Sequence, residues 1–221
     1  MRDDYWVPVD AAAPPGVYRL DVGLYEQVAG RARPVALVAE GTPLDANSVT
    51  IASVKVGGAP PGVTVATPAP QHLRADNLGD LVTLLGYDLA QPDWVSPTQT
   101  ELLSLTLYWR CDARLPADYT TFVHVRHTTG QTAGQPGAIV AQMDRPPADG
   151  AYPTSLWDPG EIIRDPVRIP IPPQTPPGDY EIAVGLYELT TGARLPAVDA
   201  AGGNRWPDDA ISLGTIAIEH Q

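Results

Sequence analysis

The side chains with the clearest capacity for chemistry lie in one long segment, residues 144–161, which reads DRPPADGAYPTSLWDPGE. Two aromatic rings, Tyr152 and Trp157, accompany two carboxylates, Asp158 and Glu161. Saccharide-binding proteins cover the apolar side of a sugar ring with an aromatic ring, and place carboxylates where they accept hydrogen bonds from its hydroxyls. The segment therefore predicts a saccharide-binding loop made of these four side chains. The alternative interpretation is structural: both rings fold inward, and the residues after Trp157 form a turn.

The same loop and its edges carry enough carboxylates for a cation site. Calcium is a hard cation that takes several oxygen ligands. The carboxylates that could gather around it are Asp144, Asp158, Glu161 and Asp165. Their spacing does not match an EF-hand. The expectation is therefore that the chain binds either no cofactor or a calcium ion at these four residues.

Signatures of catalysis are missing from the sequence. It contains no G-x-S-x-G, no H-E-x-x-H and no phosphate-binding glycine loop. His124 and His127 are three residues apart on a predicted strand, so they point to opposite faces and do not predict a shared metal site. The single cysteine, Cys111, excludes an internal disulfide and a cysteine-based zinc site. The chain is predicted not to be an enzyme, and a carboxylate pair for glycoside hydrolysis is the remaining catalytic alternative.

Composition narrows the class of protein. The formal net charge is −12, and Lys55 is the only lysine, which argues against nucleic-acid binding because phosphate contacts need clustered basic residues. The 25 prolines and 20 glycines favour strands joined by turns over long helices. No run of about 18 apolar residues occurs, so no membrane span is predicted.

An internal repeat organises the elements that must position the loop. Residues 14–34, PPGVYRLDVGLYEQVAGRARP, match residues 176–196, PPGDYEIAVGLYELTTGARLP, and the two copies align without a gap from residues 2–56 to residues 164–218. The repeat predicts a partial unit over residues 1–58, a linker rich in proline and glycine over 59–74, and a complete unit over 75–221. Met1 aligns with Ile163, inside a unit, which favours a piece of a longer exported chain.

Alternation of apolar and polar residues predicts the strands. The strands are predicted at residues 5–9, 18–24, 35–38, 49–56, 81–87, 101–110, 119–127, 139–143, 161–171, 180–188 and 211–219, with a short edge strand at 63–65. The phase of the apolar residues slips at Ala52 and at Gly214, which predicts a β-bulge in both copies. The fold class is therefore all-β: an antiparallel β-sandwich, immunoglobulin-like or jelly-roll, with one complete unit and a partial repeat.

The partial unit raises the question of what covers it. Four strands alone leave an apolar face exposed to water. That face is expected to pack against the second unit, against a second copy of the chain in a homodimer, or against a segment outside these residues.

A series of motifs gives a family resemblance. NLGD at residues 77–80, LLGYDL, LTLYWR, FVHVRH, YPTSLWDPGE and the hairpin at 176–196 follow one another in this order. The series resembles the extracytoplasmic C-terminal β-sandwich modules of bacterial family-39-type, protein mannosyltransferase-like membrane glycosyltransferases and related large membrane proteins. It covers about residues 75–221 fully and 2–56 in part. The resemblance implies a β-sandwich and an outward-facing location, and it carries no catalytic residues.

These observations lead to one functional prediction with one alternative. The chain is predicted to be a non-catalytic, extracytoplasmic accessory module of a larger, membrane-anchored cell-envelope protein, with a glycan as the expected ligand. The alternative is a structural spacer or protein–protein interaction module that binds no small molecule. Burial of Tyr152 and Trp157 would favour the alternative.

Overall fold

The structure is a computed structural model that describes residues 4–39, 42–43, 47–90, 94–95, 101–128, 137–201 and 203–219. Within these ranges the regular structure is β-strand, together with three short 3₁₀ helices at Pro147–Gly150, Thr154–Leu156 and Pro207–Asp209. The chain divides into two compact units, Met1–Pro61 and Gly62–Gln221. Each unit is described by itself.

The first unit is built from three antiparallel strand pairs. Its strands are β1 (Gly16–Val22), β2 (Tyr25–Val28), β3 (Arg31–Pro34), β4 (Val38–Ala39), β5 (Thr42–Pro43) and β6 (Val49–Val56). β1 pairs with β6, β2 with β3, and β4 with β5. The tight turn between β2 and β3 is made by Ala29 and Gly30, both with positive φ, as a two-residue hairpin turn requires.

The second unit consists of two larger sheets. Its strands are β7 (Val63–Thr64), β8 (His72–Leu78), β9 (Val82–Leu89), β10 (Trp94–Val95), β11 (Glu101–Cys111), β12 (Tyr119–His127), β13 (Ile139–Arg145), β14 (Ile162–Ile171), β15 (Gly178–Glu188), β16 (Ala197–Val198) and β17 (Ile211–Ile218). One sheet has the order β16-β8-β9-β11-β14-β7, and the other β10-β17-β15-β12-β13. Their pairings are antiparallel except for the short parallel pair β10–β17.

The core of the second unit follows the alternation of its strands. Leu103, Leu105, Leu107 and Trp109 on β11 are all buried, as the alternation predicted. On β14 the buried and exposed residues alternate along nearly the whole strand, and Pro166 and Pro170 fall among the exposed ones. β7 pairs only with Ile162 and Ile163, so both prolines lie along the part of β14 that β7 does not reach, where a missing N–H donor costs nothing. The predicted all-β, antiparallel, sandwich-like fold is confirmed.

The repeat is preserved down to individual hydrogen bonds. In the first unit β1 pairs with β6 from Gly16↔Val56 to Val22↔Val49, and β15 pairs with β17 at the positions 162 residues later. Both ladders shift register at the same step, which confirms the bulge predicted at Ala52 and Gly214. The hydroxyl of Tyr18 donates to Pro14 O at 2.9 Å, and that of Tyr180 donates to Pro176 O at 2.7 Å. A tyrosine whose hydroxyl donates a hydrogen bond to the backbone a few residues upstream is a known feature of β-sandwich corners.

Three local predictions need correction. Residues 5–9 form no strand. The aligned residues of β14 are held in a strand by pairing with β11, and the described residues of the first unit contain no strand equivalent to β11. Only Val38 of the predicted strand at 35–38 is in a strand. The predicted linker at 59–74 contains β7, as anticipated, and also the start of β8, which pairs with β9.

One feature shared by the two copies, the glycine of VGLYE, gives a testable prediction. A Cβ at Gly185 would lie 2.5 Å from Cζ of the Phe122 ring and 2.9 Å from Asp209 O. We expect Gly185→Ala to lower the free energy of unfolding by about 1–3 kcal/mol, because the ring or the backbone must move. Chemical denaturation measures this, with Gly203→Ala as the control, since a Cβ there meets no atom within 4 Å. Equal effects of the two substitutions would contradict the packing described.

Candidate functional site

The two aromatic rings of the loop at 144–161 are inside the protein. Tyr152 is 3 % exposed and Trp157 is 0 % exposed. The Trp157 indole Nε1 donates to Tyr152 O at 3.0 Å, and the two ring centroids are 6.4 Å apart. The loop therefore closes on itself through its own aromatic residues, with Trp157 at the centre.

Glu161 fixes this closed conformation with its carboxylate. It is 4 % exposed, and its Oε2 accepts hydrogen bonds from the Tyr152 hydroxyl at 2.6 Å and from the Asp158 backbone N–H at 2.8 Å. The backbone is tied down too: Cys111 N donates to Glu161 O at 2.9 Å, and Gly160 N donates to Cys111 O at 2.8 Å. Because hydrogen bonds to an ionised acceptor are stronger than neutral ones, this buried carboxylate is well placed to stabilise the loop.

The 3₁₀ helix Thr154–Leu156 anchors the loop to the neighbouring loop before β12. The buried Thr154 hydroxyl donates to Ala117 O at 3.2 Å and accepts from Tyr119 N at 2.8 Å. Ser155 N donates to Asp118 Oδ1 at 3.0 Å. These contacts tie the loop to the chain segment that leads into β12.

Asp165 is the centre of a second buried network. It is 0 % exposed and lies on β14. Its Oδ1 accepts from Arg145 Nη2 at 2.8 Å and Ala148 N at 2.9 Å, and its Oδ2 from Thr121 Oγ1 at 3.1 Å and Trp109 Nε1 at 3.3 Å. Trp109 belongs to the same sheet as Asp165, whereas Thr121 and Arg145 belong to the other sheet. The carboxylate thus cross-links the two sheets.

The four carboxylates suggested for calcium are not gathered into one site. Asp144 lies 3.3 Å from the Tyr187 hydroxyl, and Asp158 is paired with Arg114 Nη2 at 2.6 Å. Glu161 and Asp165 accept from the protein donors described above. In the part of the chain that the structure describes, no group of three or more histidine, cysteine or acidic side chains is arranged to hold a metal ion. The described structure therefore gives no support to a calcium site shared by these four carboxylates, whose hydrogen-bond partners are groups of the protein itself.

The saccharide-binding hypothesis meets a geometric obstacle at the same loop. Tyr152 and Trp157 have no exposed ring face on which a sugar could stack, and Glu161 is buried behind them. Only Asp158, with 38 % of its side chain exposed, faces solvent to any extent, and it is paired with Arg114. The arrangement matches the structural alternative. For the same reason Glu161 and Asp165 are not placed as a pair of acids across an open cleft, which glycoside hydrolysis requires.

The two histidines occupy different environments. His124 is 6 % exposed, and its Nε2 lies 3.9 Å from Asp144 Oδ1. Its strand β12 is buried on both faces. On the face that carries His124, Phe122 packs against Ala183 and Ala210. His127 Nε2 lies 3.1 Å from the Tyr180 hydroxyl. The two side chains therefore have different partners, Asp144 for His124 and Tyr180 for His127.

Burial of His124 makes the protein sensitive to mild acid. Burial lowers the pKa of His124 below its usual value; Asp144 acts in the opposite direction, and Arg194 and Arg126 lower the pKa further. The unfolded chain binds the proton at a pKa of about 6.5, so stability is complete above that pH and declines as the pH falls towards the lower pKa of the folded state. We expect His124→Gln to remove this decline below about pH 6.5. Thermal unfolding against pH of both proteins tests it, and parallel profiles would contradict it.

Cys111 is a structural residue. It is buried at the end of β11, and burial, followed by the charges of Asp112 and Glu161, raises the pKa of its thiol to about 11. A thiol with this pKa stays protonated at neutral pH, and the thiolate is the reactive form. Cys111 is therefore unsuited to nucleophilic catalysis.

The structural roles of Asp165 and Arg145 were missed by sequence reasoning. A usable signal was present: Asp165 falls in the same phase of β14 as Ile163, Val167 and Ile169, which all point inward. A carboxylate in that phase must be paired once buried. Its partner Arg145 lies at the end of β13 in the other sheet, and the packing of the two sheets cannot be read from periodicity.

No protein-family model matches the chain, and no curated protein matches it. Among the residues that the structure describes, no helix is long and apolar enough to cross a membrane.

Proposed function

We propose that this chain is a non-catalytic β-sandwich module that serves as a structural or protein-interaction part of a larger cell-envelope protein. The observation that carries the proposal is the burial of three of the four predicted saccharide-binding residues, Tyr152, Trp157 and Glu161. Tyr152 and Trp157 pack inside, and Glu161 satisfies donors of the same loop. A loop built in this way stiffens a scaffold and leaves no aromatic surface there for a small ligand.

The extracytoplasmic location and the membrane-anchored parent are parts of the same proposal. They are supported by the series of motifs that resembles the C-terminal modules of the mannosyltransferase-like glycosyltransferases. A buried single cysteine is compatible with an oxidising compartment, because the chain needs no disulfide and exposes no thiol there.

A glycan and a second copy of the chain are the two other partners that the sequence suggested. Glycan binding at this loop would require Tyr152 and Trp157 to leave the interior. That movement would break the hydrogen bonds that the Trp157 indole and the Tyr152 hydroxyl donate. The loss of these contacts opposes such a movement. The second copy is tested directly by sedimentation of the chain over a concentration series.

A saccharide-binding experiment distinguishes the scaffold from a glycan-binding module. The whole chain is screened on a glycan array, and any response is followed by calorimetry. We expect no binding that depends on Trp157, and we expect Trp157→Phe to lower thermal stability because the hydrogen bond to Tyr152 O is lost. Saccharide binding that disappears in Trp157→Phe while the Tm is unchanged would refute the proposed function. Trp206→Phe is the control, since its indole donates to Asp76 outside this loop.

A further inference from the structure

The first unit exposes an apolar face on the β1–β6 pair. Large apolar side chains on these two strands remain between 41 % and 59 % exposed: Tyr18, Val22, Val49, Ile51 and Val54. Strand pairs of this length need a covering layer to be stable in water. The face therefore has the chemistry of an interface that is not filled by the described residues of the first unit.

The second unit shows what covers the same face. The side chains 162 positions later are at most 5 % exposed: Tyr180, Val184, Ile211, Leu213 and Ile216. They sit on β15 and β17, which pair in the same register as β1 and β6. The six-stranded sheet lies over them, and its Tyr87 hydroxyl donates a hydrogen bond to Leu213 O. The interface between the two sheets of the second unit is therefore established, and the first unit carries one half of it.

Beside the exposed face lies a segment with a strand pattern that has no pairing strand among the described residues. Residues 5–9 align with 167–171 of β14, and those residues pair with β11 from Val167↔Leu105 to Ile171↔Glu101. In the first unit the segment is irregular and open to water, with Tyr5 84 %, Trp6 95 %, Val7 66 % and Val9 59 % exposed. It therefore has the sequence of a strand and lacks a described neighbour like β11.

A groove lies between this segment and the exposed face. It has a volume of about 370 Å³. Its apolar lining is provided by Val7, Val9, Tyr18, Leu20, Val54 and Val56. In the second unit β11 pairs with β14, and the inward side chains Leu103 and Leu105 of β11 are almost fully buried. The groove is thus shaped for the alternating apolar side chains of an added strand.

We propose that the first unit is a docking site for an antiparallel β-sheet supplied by a partner polypeptide. The partner's edge strand pairs with residues 5–9, and its apolar side chains, alternating as in β11, fill the groove over β1 and β6. The exposed side chains on this face and on residues 5–9 offer an area on the order of the ~800 Å² per partner that stable complexes bury. The inference rests on the proposed function, because it names the partner of an interaction module.

A second copy of the chain is not the partner that these observations favour. The sheet of the required kind in a second copy is its own six-stranded sheet. The inner face of that sheet is already covered, since Leu84, Leu103 and Leu107 are all 0 % exposed. Among its described residues, a second copy therefore has no uncovered sheet face equivalent to that of β8, β9 and β11.

A chimera supplies the partner sheet to the full chain. Residues 72–162, which contain all strands from β8 to β13, are placed directly before residue 1, because residue 163 aligns with residue 1. Amide hydrogen exchange is measured on β1 and β6 in the chain and in the chimera. We expect exchange at these amides to slow by at least about 100-fold in the chimera, and the binding of a hydrophobic dye to fall.

The matched control is the same chimera with Val9→Glu. Val9 is 59 % exposed, so the substitution should leave unfolding of the 221-residue chain unchanged and abolish the protection in the chimera. Unchanged exchange on β1 and β6 in the chimera, or failure of the chimera to fold, overturns the proposal, because residues 72–162 and 1–56 repeat the order of a unit that folds. Concentration-dependent dimerisation of the 221-residue chain would overturn it in favour of a second copy. The loop at 144–161 of the second unit keeps the same sequence in the chain and in the chimera, so these outcomes leave the proposed function standing.

Discussion

Replacing Asp165 by asparagine is expected to lower the free energy of unfolding of the second unit by about 3–5 kcal/mol, with a fall in Tm on the order of 10 °C. The substitution keeps the shape of the side chain but removes its charge. Arg145, whose side chain is only 14 % exposed, would then lack its buried counter-charge. An amide also presents N–H groups where the carboxylate accepts hydrogen bonds from Thr121, Trp109 and Ala148. Thermal and chemical unfolding measure the effect.

The matched control for this substitution uses the same arginine. Asp149 accepts from Arg145 Nη1 at 2.6 Å, but its side chain is 82 % exposed. Exposed ion pairs contribute little, so Asp149→Asn is expected to change stability by less than about 1 kcal/mol. If Asp165→Asn were as mild as Asp149→Asn, Asp165 would not be the buried link between the sheets that its contacts indicate.

Truncation of Trp157 to alanine has the second large expected effect. The side chain is fully buried, so its removal leaves a cavity and loses the hydrogen bond to Tyr152 O. Losses of about 3–5 kcal/mol are typical for a buried tryptophan. We expect Trp157→Ala to lower the unfolding midpoint in denaturant and to weaken the near-ultraviolet circular dichroism signal of the aromatic rings.

Trp6→Ala removes the same atoms from an exposed position. Trp6 is 95 % exposed, so its truncation should leave the unfolding of the chain nearly unchanged. If Trp157→Ala likewise left stability unchanged, the side chain would have to be at the surface, and the saccharide-binding hypothesis for the loop would return.

The strand positions that the sequence predicted correctly are those set by local patterns of apolar, turn-forming and repeated residues. The alternation in β11 and β12 and the PPG-x-Y turn with its VGLYE strand each report a local constraint, and they gave the strands nearly to the residue. The internal repeat added register. A phase slip at Ala52 and Gly214 predicted a bulge that both ladders contain, because side-chain direction and backbone pairing are coupled in a strand.

The features that the sequence did not settle depend on contacts between distant residues. The composition of the loop at 144–161 fits equally well a saccharide-binding surface and a loop whose aromatic rings are buried. The choice is decided by whether Tyr152 finds an acceptor such as Glu161 inside the protein. Residues 5–9 have a strand pattern and form no strand, because a strand exists only with a neighbour. β8 was missed because its polar residues Arg74 and Asp76 pair with each other, which periodicity does not show.

The central claim, that Trp157 is an internal part of the scaffold, is tested most directly by hydrogen exchange of the tryptophan indole N–H groups in ¹⁵N-labelled protein. The Trp157 indole donates to Tyr152 O in the interior, whereas the Trp6 indole belongs to a side chain that is 95 % exposed. We expect the Trp157 N–H to exchange at least about 1,000-fold more slowly than that of Trp6, because its exchange requires the loop to open. Exchange of Trp157 at the rate of Trp6 would contradict the account.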